Sequence, residues 1–464
     1  MNARIGLSRH ACDASCRVSA GLRVALSMAF LGLCLIALPT VALADPPDGR
    51  RVLAELWVVA QLSSRVASDT DPSASVQSPL TLSMVLSRVV SVHPQMQRAR
   101  AEVEISRQQL DGARWGRFPS VSVGAAAGDG VVSSGSFRVQ QPVYTFGRIE
   151  HAIDAAAASV DASTSGLGVA RRALIERAAL AHGRWLTGLQ QLDIAQLNVS
   201  RQQELLDFIA RRADGGLAAR GDTRLAQGRL DQARARLAAI RAGVDQARTE
   251  LESLMLQRLV SQPVAAALPE SAHSSAESLA ASFIDASPAL ERLGSQERVA
   301  SAEAALKGAD RLPAVVARVE RAPNLITSHY DTRALLAVDY QSGAGLAAQS
   351  EYRARLVRID AVRAEAEAQR RELELLARAL WVQRATLREQ RESIQGLVGS
   401  SADTVESFMR QFDAGRRSWL DVLNAERELF EARLAQAQIE AGLLDTALRI
   451  HAGSGALDAL VVQP

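Results

Sequence analysis

The residue types that most often carry catalysis or bind metal ions are present in this chain, but their spacing forms no site. A zinc site needs closely spaced His or Cys ligands, and no two histidines here lie three or four residues apart. Lys307 is the only lysine, which argues against a phosphate-loop lysine, a Schiff-base lysine and a Ser-x-x-Lys nucleophile. The seven histidines are at positions 10, 93, 151, 182, 273, 329 and 451.

Paired acidic residues are the remaining candidates for chemistry. Glu365 and Glu367, like Glu426 and Glu428, lie in segments that are predicted to be long helices with polar surfaces. We interpret them as solvated surface groups and predict a protein that is not an enzyme and uses no cofactor or metal. An unusual enzyme on a helical scaffold is the weakest of the alternatives.

The overall composition excludes further classes of protein. The chain has 464 residues, of which 53 are basic and 51 acidic, so no basic excess indicates nucleic-acid binding. Hydrophobic residues make up 48%, which favours packed structure over disorder. Aromatic residues make up only 4%, which is low for a compact enzyme.

The first 44 residues have the pattern of a secretory signal peptide. A basic region containing Arg4 and Arg23 precedes an apolar run, and Ala42-Leu43-Ala44 fits the small-x-small cleavage rule. All three cysteines lie in this segment, so the exported chain is predicted to lack disulfides. Residues 45–78 are interpreted as a loose lead-in.

The rest of the chain is predicted to be a duplication. Pro94 and Pro119 are 25 residues apart, as are Pro288 and Pro313. Further on, Gly216-x5-Asp222-x3-Ala226 matches Gly415-x5-Asp421-x3-Ala425. The matches keep their order with offsets of 194 to 199 residues, as an old duplication with small insertions would. We therefore predict a first repeat at 79–262, a second at 277–453, and a C-terminal tail at 454–464.

Each repeat reads as a helix, two strands and two long helices. Apolar residues recur every seven positions, which keeps one narrow seam against a neighbouring helix. The first long helix is predicted to run from about Arg148 to Arg212, roughly 95 Å. Helices of this length indicate an elongated assembly. The apolar series are Trp185, Leu192, Val199 and Leu206; Leu230, Leu237, Val244 and Leu251; Ala366, Leu373, Leu380, Leu387 and Ile394; and Leu423, Phe430, Ala437 and Leu444.

Four segments alternate apolar and polar residues with the period of a β-strand. Val121 and Val123, for example, alternate with Ser120, Ser122 and Gly124. One apolar face per strand suits a strand between lipid and water. Four strands cannot close a barrel, and open edges are not tolerated in lipid, so other copies would have to complete it. The alternative is two ordinary soluble hairpins. The predicted strands are 120–127, 136–144, 314–321 and 333–341.

Several segments resemble the TolC-like outer-membrane efflux proteins over about residues 80–453. Their amino-acid sequences are most similar to those of the members that serve type I secretion of large adhesins or toxins. The segments are Arg117-Phe-Pro-Ser-Val-Ser-Val, Gln141-Pro-Val-Tyr-Thr-Phe-Gly-Arg-Ile, Gly215-Gly-Leu-Ala-Ala-Arg-Gly-Asp-Thr and Phe412-Asp-Ala-Gly-Arg-Arg-Ser-Trp-Leu-Asp-Val-Leu-Asn-Ala-Glu-Arg-Glu-Leu.

The resemblance implies a mostly α fold with membrane β-strands, built as a homotrimer. Three copies would form a 12-stranded barrel in outer-membrane lipid, continued by an α-helical tunnel into the periplasm. A periplasmic adaptor and an inner-membrane ATP-binding cassette exporter would dock at its far end, with an exported protein as cargo. Two alternatives stay open at this point: the outer-membrane channel of a multidrug efflux pump, and a soluble periplasmic coiled-coil adaptor.

The resemblance also implies a gate at the helical turns. Matched by motif, its arginine is Arg417 and its carboxylates are Asp222 and Asp421. Phe412 stands where the family has a tyrosine, and Asn424 stands where a second acidic ring would lie. Because Phe412 lacks a hydroxyl, we expect fewer polar interactions to keep this gate closed.

Overall fold

The computed structural model describes residues 79–128, 131–265, 268, 273–323, 330–340 and 347–461. The predicted signal peptide and lead-in, residues 1–78, lie outside the described residues. The helices are α1 (Leu82–Val92), α2 (Pro94–Trp115), α3 (Arg148–Asp214), α4 (Arg220–Met255), α5 (Ala276–Asp285), α6 (Pro288–Ala309), α7 (Ala347–Asp413) and α8 (Trp419–Gly453), followed by a 3-10 helix (Ala456–Leu460). The strands are β1 (Ser120–Gly128), β2 (Val131–Tyr144), β3 (Ala314–Pro323) and β4 (Tyr330–Asp339).

The two predicted repeats have the same order of elements, and their corresponding helices have nearly the same lengths. Helices α2 and α6 each have 22 residues, α3 and α7 each have 67, and α4 and α8 have 36 and 35. At 1.5 Å per residue, α3 and α7 are each about 100 Å long. The long helices deduced from the seven-residue spacing are therefore present, and α3 begins at the predicted Arg148.

Local sequence explains where the paired helices begin. Pro94 and Pro288 occupy the first turn of α2 and α6, where the missing N–H costs nothing. The residue before each proline caps the helix: the His93 ring nitrogen accepts from the Gln95 N–H, and the Ser287 hydroxyl accepts from the Leu290 N–H. The prolines from which the duplication was predicted are thus helix starts.

The four strands form one antiparallel sheet in the order β1-β2-β3-β4. Strand β2 begins five residues before the predicted 136 because Val131 still pairs with Gly128 across the hairpin. Strand β4 begins at Tyr330, which pairs with Pro323, and ends at Asp339. The early part of β2 was not predicted because Ser133, Ser134 and Gly135 interrupt the alternation of apolar and polar residues.

The register places most of the apolar residues of the four strands on one face. Val121, Val139, Val319 and Ala334 form one row across the sheet. The neighbouring row, on the opposite face, is polar and consists of Ser122, Arg138, Glu320 and Arg333. In that row Arg138 Nη2 lies 3.1 Å from Glu320 Oε1. The sheet thus has an apolar face and a polar, ion-paired face, as the alternation predicted.

The main core surrounds the middle of α3. Leu174, Ile175 and Trp185 are buried there against α1, α4 and the 3-10 helix. The short segment after α8 is docked, because Asp458 Oδ2 lies 2.9 Å from Arg172 Nη2 and Leu457 is buried. Within the described ranges, no helix is both long enough and apolar enough to cross a membrane.

Candidate functional site at the two helical turns

The turns that join α3 to α4 and α7 to α8 have the same backbone geometry. Gly216 and Gly415 adopt positive φ angles of 73° and 70°, which glycine tolerates without strain. The N–H of the following residue then donates back to a helix carbonyl, from Leu217 to Arg212 and from Arg416 to Gln411, at 2.8 and 2.9 Å. This is the glycine-terminated helix end that the sequence predicted at both positions.

Asp421 lies in the first turn of α8 and forms a reciprocal cap with Ser418. The Asp421 N–H donates to Ser418 Oγ at 3.2 Å, and the Ser418 N–H donates to Asp421 Oδ2 at 3.3 Å. Hydrogen bonding with the Ser418 side chain, followed by its backbone and the nearby Arg417 charge, lowers the pKa of Asp421. Asp421 is therefore held ionised at the start of the helix.

Arg417 makes its contacts with residues around its own turn. Its Nε donates to Gln411 Oε1 at 3.2 Å, its guanidinium carbon lies 4.0 Å from the centroid of the Phe408 ring, and its Nη1 lies 3.7 Å from Asp421 Oδ2. The structure thus brings together Arg417 and Asp421, two of the predicted gate residues.

Asp222 occupies the equivalent place in the other turn, where its Oδ2 accepts from the Ala219 N–H at 3.4 Å. Within the described part of a single chain, no ion pair within 4.0 Å joins Asp222 to Arg417 or to another arginine. Each acid therefore caps its own turn in one chain, and the predicted gate residues Asp222 and Arg417 do not meet there.

Phe412 belongs to an aromatic cluster that spans the two turns. We call Phe208, Phe412 and Trp419 the ring cluster. The Phe412 centroid lies 6.1 Å from that of Phe208 on α3 and 5.1 Å from that of Trp419 on α8. Arg212 on α3 places its guanidinium carbon 4.9 Å from the Phe412 centroid, and its Nη1 lies 3.7 Å from Asp413 Oδ1. Apolar side chains such as Ile209 and Val422 are buried beside these rings.

Two hydrogen bonds outside the ring cluster join α8 to the first helical hairpin, which consists of α3 and α4. Arg229 Nη2 on α4 donates to Asn424 Oδ1 at 3.2 Å. Arg201 Nε on α3 donates to Glu426 Oε1 at 2.7 Å. Glu426 is 6% exposed, so the prediction that it is a solvated surface group is wrong: it lies between packed helices and is paired with an arginine. Burial lowers the pKa of Arg201, but the hydrogen bond and charge of Glu426 outweigh it, so the net shift is upward. Asn424, the fifth predicted residue, thus binds Arg229 within one chain.

Sequence reasoning missed most residues that connect the hairpins. Phe208, Trp419, Arg201 and Glu426 lie on segments about 200 residues apart in the chain, so spacing did not reveal that they meet. One signal was available: Trp419 and Phe412 flank the Gly415 turn in a chain with few aromatic residues. Such rings are expected where two turns pack together.

Packing and hydrogen bonds hold the two helical turns together. In the described residues, no three His, Cys, Asp or Glu side chains cluster closely enough to hold a metal ion. The junction instead combines packed rings with two cross-hairpin hydrogen bonds. Separating the hairpins would therefore require loss of both kinds of contact.

A comparison with family models matches residues 85–255 to the family described as outer membrane efflux protein. The matched range lies inside the predicted first repeat, 79–262. No curated protein is similar enough in sequence to count as a relative.

Solved structures of outer-membrane channels share the fold of the whole described chain. The outer-membrane channel OprN is 20% identical, with 81% of this chain and 89% of that chain covered and a TM-score of 0.69. The channel CusC is 16% identical, with 80% and 91% covered and a TM-score of 0.70. The outer membrane protein VceC from Vibrio cholerae is 16% identical, with 80% and 96% covered and a TM-score of 0.65.

At these identities the solved structures establish the fold. They confirm the predicted combination of long helices with four strands, and the family match confirms the predicted outer-membrane localisation. Residues 85–255 thus belong by sequence to the outer membrane efflux protein family, and the described chain as a whole has the fold of its TolC-like channels.

Proposed function

We propose that three copies of this chain form an exit duct through the outer membrane. The observation that carries the proposal is the sheet, which has one apolar face and two open edges. Val121 and Val123 are 61% and 78% exposed on β1, and Leu336 and Val338 are 69% and 67% exposed on β4. An apolar face with unpaired edges suits lipid only if further strands close the sheet. Three four-stranded sheets would make the 12-stranded barrel.

Helix α7 supports the same assembly. Only five of its 67 residues are buried, whereas α3 buries fifteen of 67. Val357, Leu375 and Val382 on α7 are each more than 60% exposed. A second copy of the chain packed along α7 would cover these side chains, and three such contacts would close the helices into a tunnel.

The duct would receive its cargo from a periplasmic adaptor and an inner-membrane pump. For the cargo we propose a large exported protein, delivered by an ATP-binding cassette exporter of type I secretion. The support is the amino-acid sequence of residues 412–429, which resembles the family members that serve type I secretion. This is an argument by resemblance. A second candidate is efflux of small molecules, which the description of the matched family as an efflux protein favours.

The two helical turns would form the periplasmic gate of the duct, with Asp222, Phe412, Arg417, Asp421 and Asn424 near the constriction. The ring cluster supports this proposal because it fastens the turn of each repeat to the other. A threefold repeat of Asp421 in a narrow passage would add a negative field that attracts cations.

A gene deletion tests the cargo. If the cargo is a protein, the deletion abolishes secretion of a large repeat-rich protein and leaves resistance to drugs nearly unchanged. A broad fall in resistance with normal secretion would favour small-molecule efflux. Membrane fractionation with an unboiled gel tests the duct itself, since a soluble adaptor would not sediment with the outer membrane as a trimer.

A further inference from the structure

Two equivalent corners connect helices to strands in this chain. We call them the Arg-apolar-Pro corners: Arg117-Phe118-Pro119 between α2 and β1, and Arg311-Leu312-Pro313 between α6 and β3. The Phe118 N–H donates to the Trp115 carbonyl and the Leu312 N–H to the Ala309 carbonyl, both at 3.0 Å. Proline disfavours helical backbone in the residue before it, so each corner ends its helix and presents an apolar side chain.

These apolar side chains are exposed rather than packed. Phe118 is 57% exposed and Leu312 is 46% exposed. Trp115, one turn earlier, is 67% exposed, and its ring centroid lies 5.1 Å from that of Phe118. Large exposed aromatic side chains at the end of a β-sheet are typical of the boundary between a membrane and water.

The arginines of the corners differ from the basic residues beside them. Arg114 pairs with Asp111 at 3.0 Å, and Lys307 pairs with Glu351 at 3.2 Å. Among the described residues, neither Arg117 nor Arg311 has a carboxylate within 4.0 Å.

Both corners are nevertheless held in place. The Arg117 carbonyl accepts from Gln141 Nε2 at 2.9 Å, and the Arg311 guanidinium carbon lies 5.2 Å from the centroid of the Tyr352 ring. The two corners therefore have a fixed backbone or side chain, and each offers a positive charge without a carboxylate partner beside an exposed apolar group.

We propose that the Arg-apolar-Pro corners bind the headgroups of anionic phospholipids at the periplasmic boundary of the membrane. Arg117 and Arg311 contact the headgroup phosphate through their N–H groups, while Phe118 and Leu312 lie at the level of the first acyl carbons. The proposal rests on the duct proposed above. It goes beyond that duct by assigning a lipid class and the residues that select it.

The test compares an anionic and a zwitterionic phospholipid that differ only in the headgroup. The full-length protein is purified in detergent with equal amounts of phosphatidylglycerol and phosphatidylcholine of the same acyl chains, and native mass spectrometry counts the bound lipids. The variant is Arg117→Gln together with Arg311→Gln. The matched control is Arg241→Gln together with Arg391→Gln, which removes two exposed arginines from the long helices α4 and α7.

The wild-type protein and the control are expected to prefer phosphatidylglycerol, and the corner variant is expected to lose that preference by about fivefold or more. An unchanged preference in the corner variant, or none in the wild-type protein, would overturn the lipid assignment. Failure of the wild-type protein to insert into vesicles of either lipid would instead overturn the duct.

Discussion

The rings of Phe208 and Trp419 stack across the two helical turns, with centroids 6.0 Å apart and planes 30° apart. Phe208 lies on the first helical hairpin and Trp419 on the second, so this contact joins the two repeats at the end farthest from the sheet. Trp419 is 3% exposed, which makes it the anchor of the ring cluster. Moving the two helical turns apart would require these rings to separate.

The ring cluster predicts a graded response to substitution at Trp419. Trp419→Ala should destabilise the packing of the two helical turns, which we call the tip, by about 3 kcal/mol, because it removes a large buried side chain. In planar bilayers this variant should open more often and show raised single-channel conductance. Trp419→Phe keeps a ring, and the Nε1 that it loses has no hydrogen-bond partner among the described residues, so it should behave nearly as the wild type.

Leu217→Ala is the control for that experiment, because Leu217 lies in the first turn and is 73% exposed. It should change neither stability nor conductance. If Trp419→Ala conducts like the wild-type channel, the ring cluster has no part in the gate.

The Arg201–Glu426 ion pair has a buried carboxylate and predicts how substitutions there change stability. Arg201→Ala leaves the Glu426 carboxylate buried with its nearest cation removed, which should cost about 2 kcal/mol in the free energy of unfolding. Arg201→Met combined with Glu426→Leu removes both charges and should recover most of that loss. Thermal unfolding of the purified protein measures both, with the exposed Arg211→Ala as control. A double variant that is less stable than Arg201→Ala would contradict the interpretation.

Asp421 predicts how the tip responds to acid. Because the folded state lowers the pKa of Asp421, its ionised form stabilises the α8 start above the ordinary aspartate pKa of about 3.9. That contribution is lost only as the pH falls through the lower, folded-state pKa. The difference in conductance between the wild type and Asp421→Asn should therefore be constant from about pH 7 to about pH 5. It should change only below about pH 4. A change centred above about pH 5 would exclude Asp421 as its cause.

The register of the sheet predicts opposite environments for neighbouring residues on β1. A cysteine in place of Val121 should react with lipid-soluble probes, because Val121 lies on the apolar face. A cysteine in place of Ser122 should react with water-soluble probes that enter the duct, because Ser122 lies in the row with Arg138 and Glu320. The chain offers a clean background, since its native cysteines are all in the predicted signal peptide. Equal aqueous labelling of both positions in intact membranes would rule out the barrel.

The sequence determined the features of this protein that depend on neighbouring residues. Seven-residue spacing identified α3 and α7, because an apolar seam on a helix repeats within the helix itself. Alternation identified the apolar face of β1, because successive side chains on a strand point to opposite sides. Gly216 and Gly415 identified both turns, because a left-handed residue at a helix end favours glycine whatever packs around it.

Which surfaces meet could not be predicted from the sequence, because it depends on how distant segments pack. The rotation of each long helix about its axis determines whether Phe208 contacts Trp419 and whether Arg201 contacts Glu426, and this rotation results from packing along the whole hairpin. The gate residues matched by motif show the same limit. Asp222 and Asp421 were identified correctly as equivalent positions, yet within one chain each caps its own turn. A local cap forms between residues three apart, whereas a link between the hairpins needs two surfaces brought together from about 200 residues apart in the chain.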